Sequence, residues 1–215
     1  MNVRGAYITF IDSDDWMDSD YLEVLYRALI DEKADIAVST YKQFNMDDNC
    51  YYFNSSQRGY EKRIFEKYQL LDELPYLERY DQSYSLIFGK LISKNVLGIV
   101  RFNESTTLGE NMEFWYKLYL VSNKIIYINK DTYICRKYGN ASLKYTNIKN
   151  KYSDIQQRLN FISVLSANGI NTQGYIDNLL IHLENSKSEL KNSNQSSSEI
   201  FRWIEEVLVL FKGVE

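Results

Sequence analysis

The chain has 215 residues, 45% hydrophobic and 25% charged, a balance that suits a packed domain and excludes wholesale disorder and collagen-like repeats. One histidine and two cysteines, Cys50 and Cys135, exclude a His-rich metal site, a zinc cluster and a disulfide framework, and so few cysteines fit a reducing compartment. A net charge of −4 gives no general attraction to nucleic acid or anionic lipid, which leaves the chemistry to the 29 Asp and Glu side chains.

Ala6 to Ile11 is a short apolar run that predicts a strand buried on both faces, as in a parallel sheet. It stops at Asp12-Ser13-Asp14-Asp15-Trp16. Asp18 or Ser19 is then placed to cap a helix with Leu22, Leu25, Tyr26 and Leu29 at helical spacing. Asp35 to Tyr41 returns to a strand pattern, so the opening segment predicts a βαβ unit and an α/β fold class. Residues 42–64 suggest a hairpin excursion. Phe65–Arg79 and Tyr84–Leu97 have helical patterns, with Pro75 kinking or splitting the first. A helix is expected over Glu110–Ser122, with Met112, Trp115, Tyr116 and Tyr119 on one face, followed by strands at Ile125–Ile128 and Thr132–Arg136.

Beyond residue 150 the pattern is helical, through Ile155/Leu159/Ile162 and Ile176/Leu179/Leu180/Leu183. Lys191–Ser198 is expected to be a flexible polar linker before a last helix striped by Ile200, Trp203, Ile204, Val207, Leu208 and Phe211. Glu199, Glu205 and Glu206 make the other face of that helix acidic, which favours packing on protein over docking on a membrane. The expected domains are 1–148, carrying the sheet, and a helical region over 149–215. No apolar run approaches the roughly 20 residues needed to cross a bilayer. The first residues lack a signal peptide's apolar core, so a cytoplasmic location is expected.

Asp12, Asp14, Asp15, Asp18 and Asp20 crowd into one short segment, and such carboxylates repel unless a cation or hydrogen-bond donors offset them. Oxygen-only ligands suit Mg²⁺ or Mn²⁺. A position at the carboxyl end of a buried strand is also where open α/β sheets bind ligands. The competing reading is a solvated capping loop. An EF-hand loop from Asp12 to Glu23 fails because its sixth position is Met17 where Gly is needed, its fifth is Trp16, and a strand precedes it.

The stretch Gly5 to Trp16 resembles the segment around the DxD motif of family 2 glycosyltransferases, which have the GT-A fold. Phe88-Gly89-Lys90-Leu91, Arg101 to Glu104, Leu108 to Phe114, Lys124 to Ile128, Thr132-Tyr133 and Arg136 to Ser142 resemble later landmarks of that family, in order, so the likeness covers about residues 2–145. It implies a partial GT-A mixed sheet with a helical appendage, and transfer of a sugar from a nucleotide-diphosphate donor to an acceptor hydroxyl in cell-surface polysaccharide synthesis. Asp12 and Asp14 would hold a divalent metal ion on the donor, with Arg136 and Ser142 on the diphosphate. Asp15, Trp16 and Lys90 would lie on the acceptor side, although Lys90 could equally be a structural side chain facing water.

Two departures from the family pattern qualify these expectations. The position of the general base holds Asn111, which accepts no proton at neutral pH; neighbouring Glu110 would point elsewhere on the helix, so a slow or dead catalyst is expected unless Glu110 reorients. The family's nucleotide-binding half precedes the DxD strand, whereas this sequence starts a few residues before it. The expectations are weak donor affinity for the chain alone, and a sheet edge completed by a second copy or a partner chain. A degenerate domain that binds sugar or a partner without catalysis is the alternative.

Overall fold

The computed structural model describes residues 4–53, 61–101, 110–138, 148–196 and 198–212, with the side chains of 110–112 and 148–150 outside that description. These residues form two compact units, a sheet unit and a helical unit.

The sheet unit is organised by two long strands, β3 (Ile36–Asn45) and β7 (Lys124–Lys137), which run parallel and side by side. Their register is shifted between Ser39 and Tyr41: β3 advances two residues while β7 advances five, from Ile128 to Tyr133. The shift divides the sheet. Before it, the order is β1 (Tyr7–Ile8), β6 (Lys90–Ser93), β3, β7, β5 (Lys62–Glu66). After it, the neighbours become β4 (Cys50–Phe53) beside β3 and β2 (Trp16–Met17) beside β7.

Both faces of the first half are covered. Helix α1 (Tyr21–Glu32) turns Tyr21, Leu25 and Leu29 onto Ala37, Leu91 and Ile126. Alternate residues of the same strands, Ile36, Val38, Ile125 and Tyr127, bury their side chains on the opposite face, as the two-residue repeat of a strand requires. There the ring of Tyr84 stacks on Tyr127. Helices α2 (Gln69–Leu77) and α4 (Glu110–Val121) pack against each other and contribute Leu70, Leu74, Phe114, Trp115 and Tyr119 to the core. This two-sided burial explains why β3 opens on three consecutive apolar residues, Ile36 to Val38, instead of alternating.

Several expectations need correction. The strand expected over 6–11 pairs only at Tyr7–Ile8, is half-buried, and is antiparallel to β6. It shares its direction with β3 because β6 lies antiparallel between them, so the strand–helix–strand unit survives with a strand inserted. The helix expected over Tyr84–Leu97 is instead a 3₁₀ turn (Gln82–Tyr84), β6, and a single helical turn, α3 (Lys94–Leu97). Gly89 breaks the helix: its φ is +70°, its carbonyl accepts from Ser39 N–H, and a Cβ there would sit 3.1 Å from the Ser39 carbonyl oxygen. Pro75 lies within α2 without splitting it. Neither Asp18 nor Ser19 is the N-cap of α1; that position is Asp20, and its side chain makes no capping bond. The two late strands are one, β7, carrying the register shift between them.

In the helical unit, α5 (Ile148–Ala167), α6 (Gln173–Asn192) and α7 (Glu199–Lys212) pack in sequence. Apolar positions recur as expected, with Ile155, Leu165, Leu179, Leu183, Ile204 and Leu208 buried. His182 contacts Asp154 at 2.7 Å, and Lys212 contacts Glu184 at 2.6 Å. The polar run from Lys191 contributes its first two residues to α6. Among the described residues no helix is long and apolar enough to cross a membrane.

Candidate functional site

The acidic segment forms a tight turn closed by Asp15 N–H on the Asp12 carbonyl at 3.1 Å, and the chain then enters β2. Trp16 and Met17 pair with Ile134 and Tyr133 of β7, and Asp18 N–H donates to the Thr132 carbonyl at 2.8 Å. The turn therefore sits in the half of the sheet beyond the register shift.

Asp15 is committed to this stitching. Its Oδ2 accepts from the Tyr133 hydroxyl at 2.7 Å and its Oδ1 from Arg136 N–H at 2.8 Å. The Tyr133 hydroxyl also accepts from Asp12 N–H at 3.1 Å. Asp18 is paired with Lys42 at 2.7 Å. Asp12 and Asp14, by contrast, are exposed. The Asp12 carboxyl is held above its usual range by partial burial first, then by the negative charges of Asp15 and Asp14, which places the three acids within electrostatic reach. Burial, followed by those same three aspartates, pushes the Cys135 thiol up to about 12, so it is no thiolate nucleophile at neutral pH. Both raised values combine burial, the larger cause, with the negative charge gathered at the turn.

Arg136 meets Asp15 through its backbone N–H, while its guanidinium lies 5.1 Å from the Trp16 ring centre and its Nε is buried without a hydrogen-bond partner. Trp16 packs edge-on against Phe44 at 5.5 Å, and Phe44 against Tyr51 at 4.9 Å. By register, Trp16, Arg136, Phe44 and Tyr51 share one face of the sheet, with Tyr133 on the other.

Lys90 is elsewhere. It is fully buried, its Nζ donates to the carbonyls of Ser83 and Leu86, and it lies 4.4 Å from the Trp115 ring centre. Burial drives its pKa well below the ordinary 10.5, against the opposing pull of Asp81 and Glu78. The water-facing side chain considered from sequence is corrected: the carbonyls that hold Lys90 lie inside the fold. Glu110 and Asn111 open α4, with side chains outside the described residues, and Ser142 lies outside them altogether. Glu113 is paired with Lys117.

Among the described residues no three His, Cys, Asp or Glu side chains converge as a metal cluster. Asp12 and Asp14 still suit a hard cation of the kind held by one or two carboxylates plus water and phosphate oxygens. Two exposed carboxylates beside a third that is already engaged, one of them with its pKa raised by partial burial and then by the other two, make a donor set that a cation would relieve.

Sequence reasoning found the acidic turn and missed what holds it. Lys42 carries no motif signal, and the landmark at Thr132-Tyr133 does not announce that the Tyr133 hydroxyl meets Asp15; both contacts are made by the pairing of strands.

Residues 1–91 match the model of the family described as "Glycosyl transferase family 2". Over 148 residues the chain is 36% identical to glycosyltransferase GlyA of Streptococcus pneumoniae, covering 67% of this chain and 21% of that protein. It is 23% identical to glycosyltransferase GlyG of the same organism over 142 residues, covering 66% of this chain and 47% of GlyG. The chain thus spans about a fifth and about half of these two relatives. Among solved structures it is similar to S. aureus TarS residues 1–349 in complex with UDP-GlcNAc, with a TM-score of 0.57 at 15% identity, covering 97% of this chain and 56% of that one. A second TarS structure gives a TM-score of 0.56 at 17% identity, over 92% and 31% of the two chains. These structural likenesses establish the fold as the mixed α/β sheet of GT-A glycosyltransferases.

Proposed function

We propose, from a chain that belongs through residues 1–91 to glycosyl transferase family 2, that it takes part in moving a sugar from a nucleotide-diphosphate donor to an acceptor hydroxyl. The observation that carries this reading is the division of labour in the acidic turn: Asp15 is bound to β7 on both oxygens while Asp12 and Asp14 stay exposed. TarS, a structural neighbour, is described in complex with UDP-GlcNAc, which makes a uridine diphosphate sugar the first donor to test.

In this reading Asp12 and Asp14 hold Mg²⁺ or Mn²⁺, and such an ion would offset the charge that builds on a departing diphosphate. Arg136 has an unpartnered Nε on the Trp16 face of β7 and would supply a positive charge for phosphate oxygens. The guanidinium is steadied by the Trp16 face, so it needs little ordering when a donor arrives. Ser142 would add a hydroxyl on the donor, and Trp16 an apolar wall toward the acceptor. An acceptor glycan or lipid-linked sugar in cell-surface polysaccharide synthesis, a cytoplasmic or inner-membrane-surface location, and a second chain on the β1 edge belong to the same proposal.

Asn111 favours a second reading. A carboxamide at the position of the acceptor's base leaves the displacement without a proton acceptor unless Glu110 serves, and the chain would then bind donor or partner with little turnover. The test is nucleotide release from UDP-GlcNAc with Mn²⁺, in the parent and in Asn111→Asp. A slow parent accelerated about 10²–10⁴-fold by the substitution is expected. Equal, fast rates would refute the assignment of position 111. No release from either chain, with donor still bound, would favour the binding domain.

A further inference from the structure

The 12–15 turn is anchored from far along the chain, with Asp15 bonded to groups 118 and 121 residues away on β7, the Tyr133 hydroxyl and the Arg136 amide. One of these is a single hydroxyl with two partners. An ionised Asp15 only accepts and a backbone N–H only donates, so the Tyr133 hydroxyl must give its proton to Asp15 Oδ2 and take the Asp12 N–H on a lone pair. It thereby grips the first and last residues of the turn together. The ring that carries this hydroxyl is itself fixed. Tyr133 is fully buried, lies flat on Phe88 at 4.3 Å with an interplanar angle of 1°, and has Tyr21 at 5.9 Å. Its backbone sits between those of Met17 and Tyr41.

The geometry points to Tyr133 as the positioning residue for Asp12 and Asp14. By tying Asp15 and the Asp12 backbone to one rigid ring, it holds in a preset turn two carboxylates that mutual repulsion would otherwise spread. Asp15 is then a tether, its two oxygens facing β7 donors instead of a substrate. This inference rests on the reading of Asp12 and Asp14 as ligands of a cation. Groups that orient metal ligands in this way typically cost 10–100-fold in metal affinity when removed.

The test uses the full chain and Mn²⁺ alone. Tyr133→Phe removes the hydroxyl and keeps the ring on Phe88, and Asp15→Asn attacks the same tether from the other end if the first variant folds poorly. Calorimetry should show Mn²⁺ affinity falling about 10–100-fold in either variant. Amide exchange at Asp12 should speed up before any metal is added, and the thermal midpoint should stay near the parent's. A scaffold role for Tyr133 would move the midpoint and leave the affinity of the folded chain unchanged. Parent-like Mn²⁺ binding by Tyr133→Phe, alongside loss in Asp12→Ala, would overturn the inference, as would unchanged exchange at Asp12. Indifference of Mn²⁺ binding to Asp12→Ala would sink the ligand reading instead, and exchange at Asp12 would still decide whether the tether exists.

Discussion

On one side of their register shift, β3 and β7 are packed from both faces; on the other, the same strands run among charges and half-exposed rings. Ile36, Ala37, Val38, Ile125, Ile126 and Tyr127 are wholly buried, whereas Gln43, Phe44, Cys135 and Arg136 are only partly covered. The central strands of the first half serve as scaffold, because their residues on both faces are withdrawn from solvent. The second half collects the acidic turn, Arg136 and the Trp16 ring. A sheet can thus separate stability from chemistry along the length of single strands, with the register shift as the border.

The largest blow to that separation is Ile126→Ala. A cavity between α1 and the sheet should cost about 2–5 kcal/mol in denaturant unfolding, while Mn²⁺ affinity per folded chain stays at the parent's value. A shared loss would show that the two halves are not independent.

Lys90→Met is the next test on the scaffold side. The carbonyls of Ser83 and Leu86 lose their donor, for about 1–3 kcal/mol. Its pH signature is more specific. The folded chain holds Lys90 below its ordinary 10.5, so beneath that value the unfolded chain binds the extra proton and stability rises as pH climbs toward 10.5. The rise should flatten in Lys90→Met when unfolding is followed across that range; an unchanged slope would place its origin in another group.

The smallest effect belongs to the acidic turn. Asp12 titrates above its ordinary 3.8, so its contribution to stability is present below that value and fades as pH rises through the folded one. Asp12→Asn should therefore raise the melting temperature slightly at neutral pH without metal, while weakening Mn²⁺ binding. Such an exchange of stability for function is expected where charges are crowded for a ligand. A lower melting temperature would mean that Asp12 serves the fold.

Much of the scaffold was legible because local pattern and final environment agree. The apolar spacing of α1 and of the three late helices, and the β-branched run at Ile36, each announce their element. Tyr84 to Leu97 misled because its apolar residues sit at helical intervals while Gly89 supplies a positive φ and a close backbone approach that spacing does not encode. Lys90 was misjudged for a related reason: a lysine is ordinarily a surface residue, and only the folded loop brings two carbonyls and the Trp115 ring around it. At the turn, the aspartates advertise themselves by density. Which of them is a tether depends on Tyr133 and the Arg136 amide, more than a hundred residues distant, and no local pattern carries that.

The most direct test of the central claim is calorimetric titration of the full chain with UDP, with and without Mn²⁺, beside Asp14→Ala. The account predicts weak binding that requires the metal and is lost in the variant. Binding of equal strength in both chains, or indifferent to Mn²⁺, would contradict it.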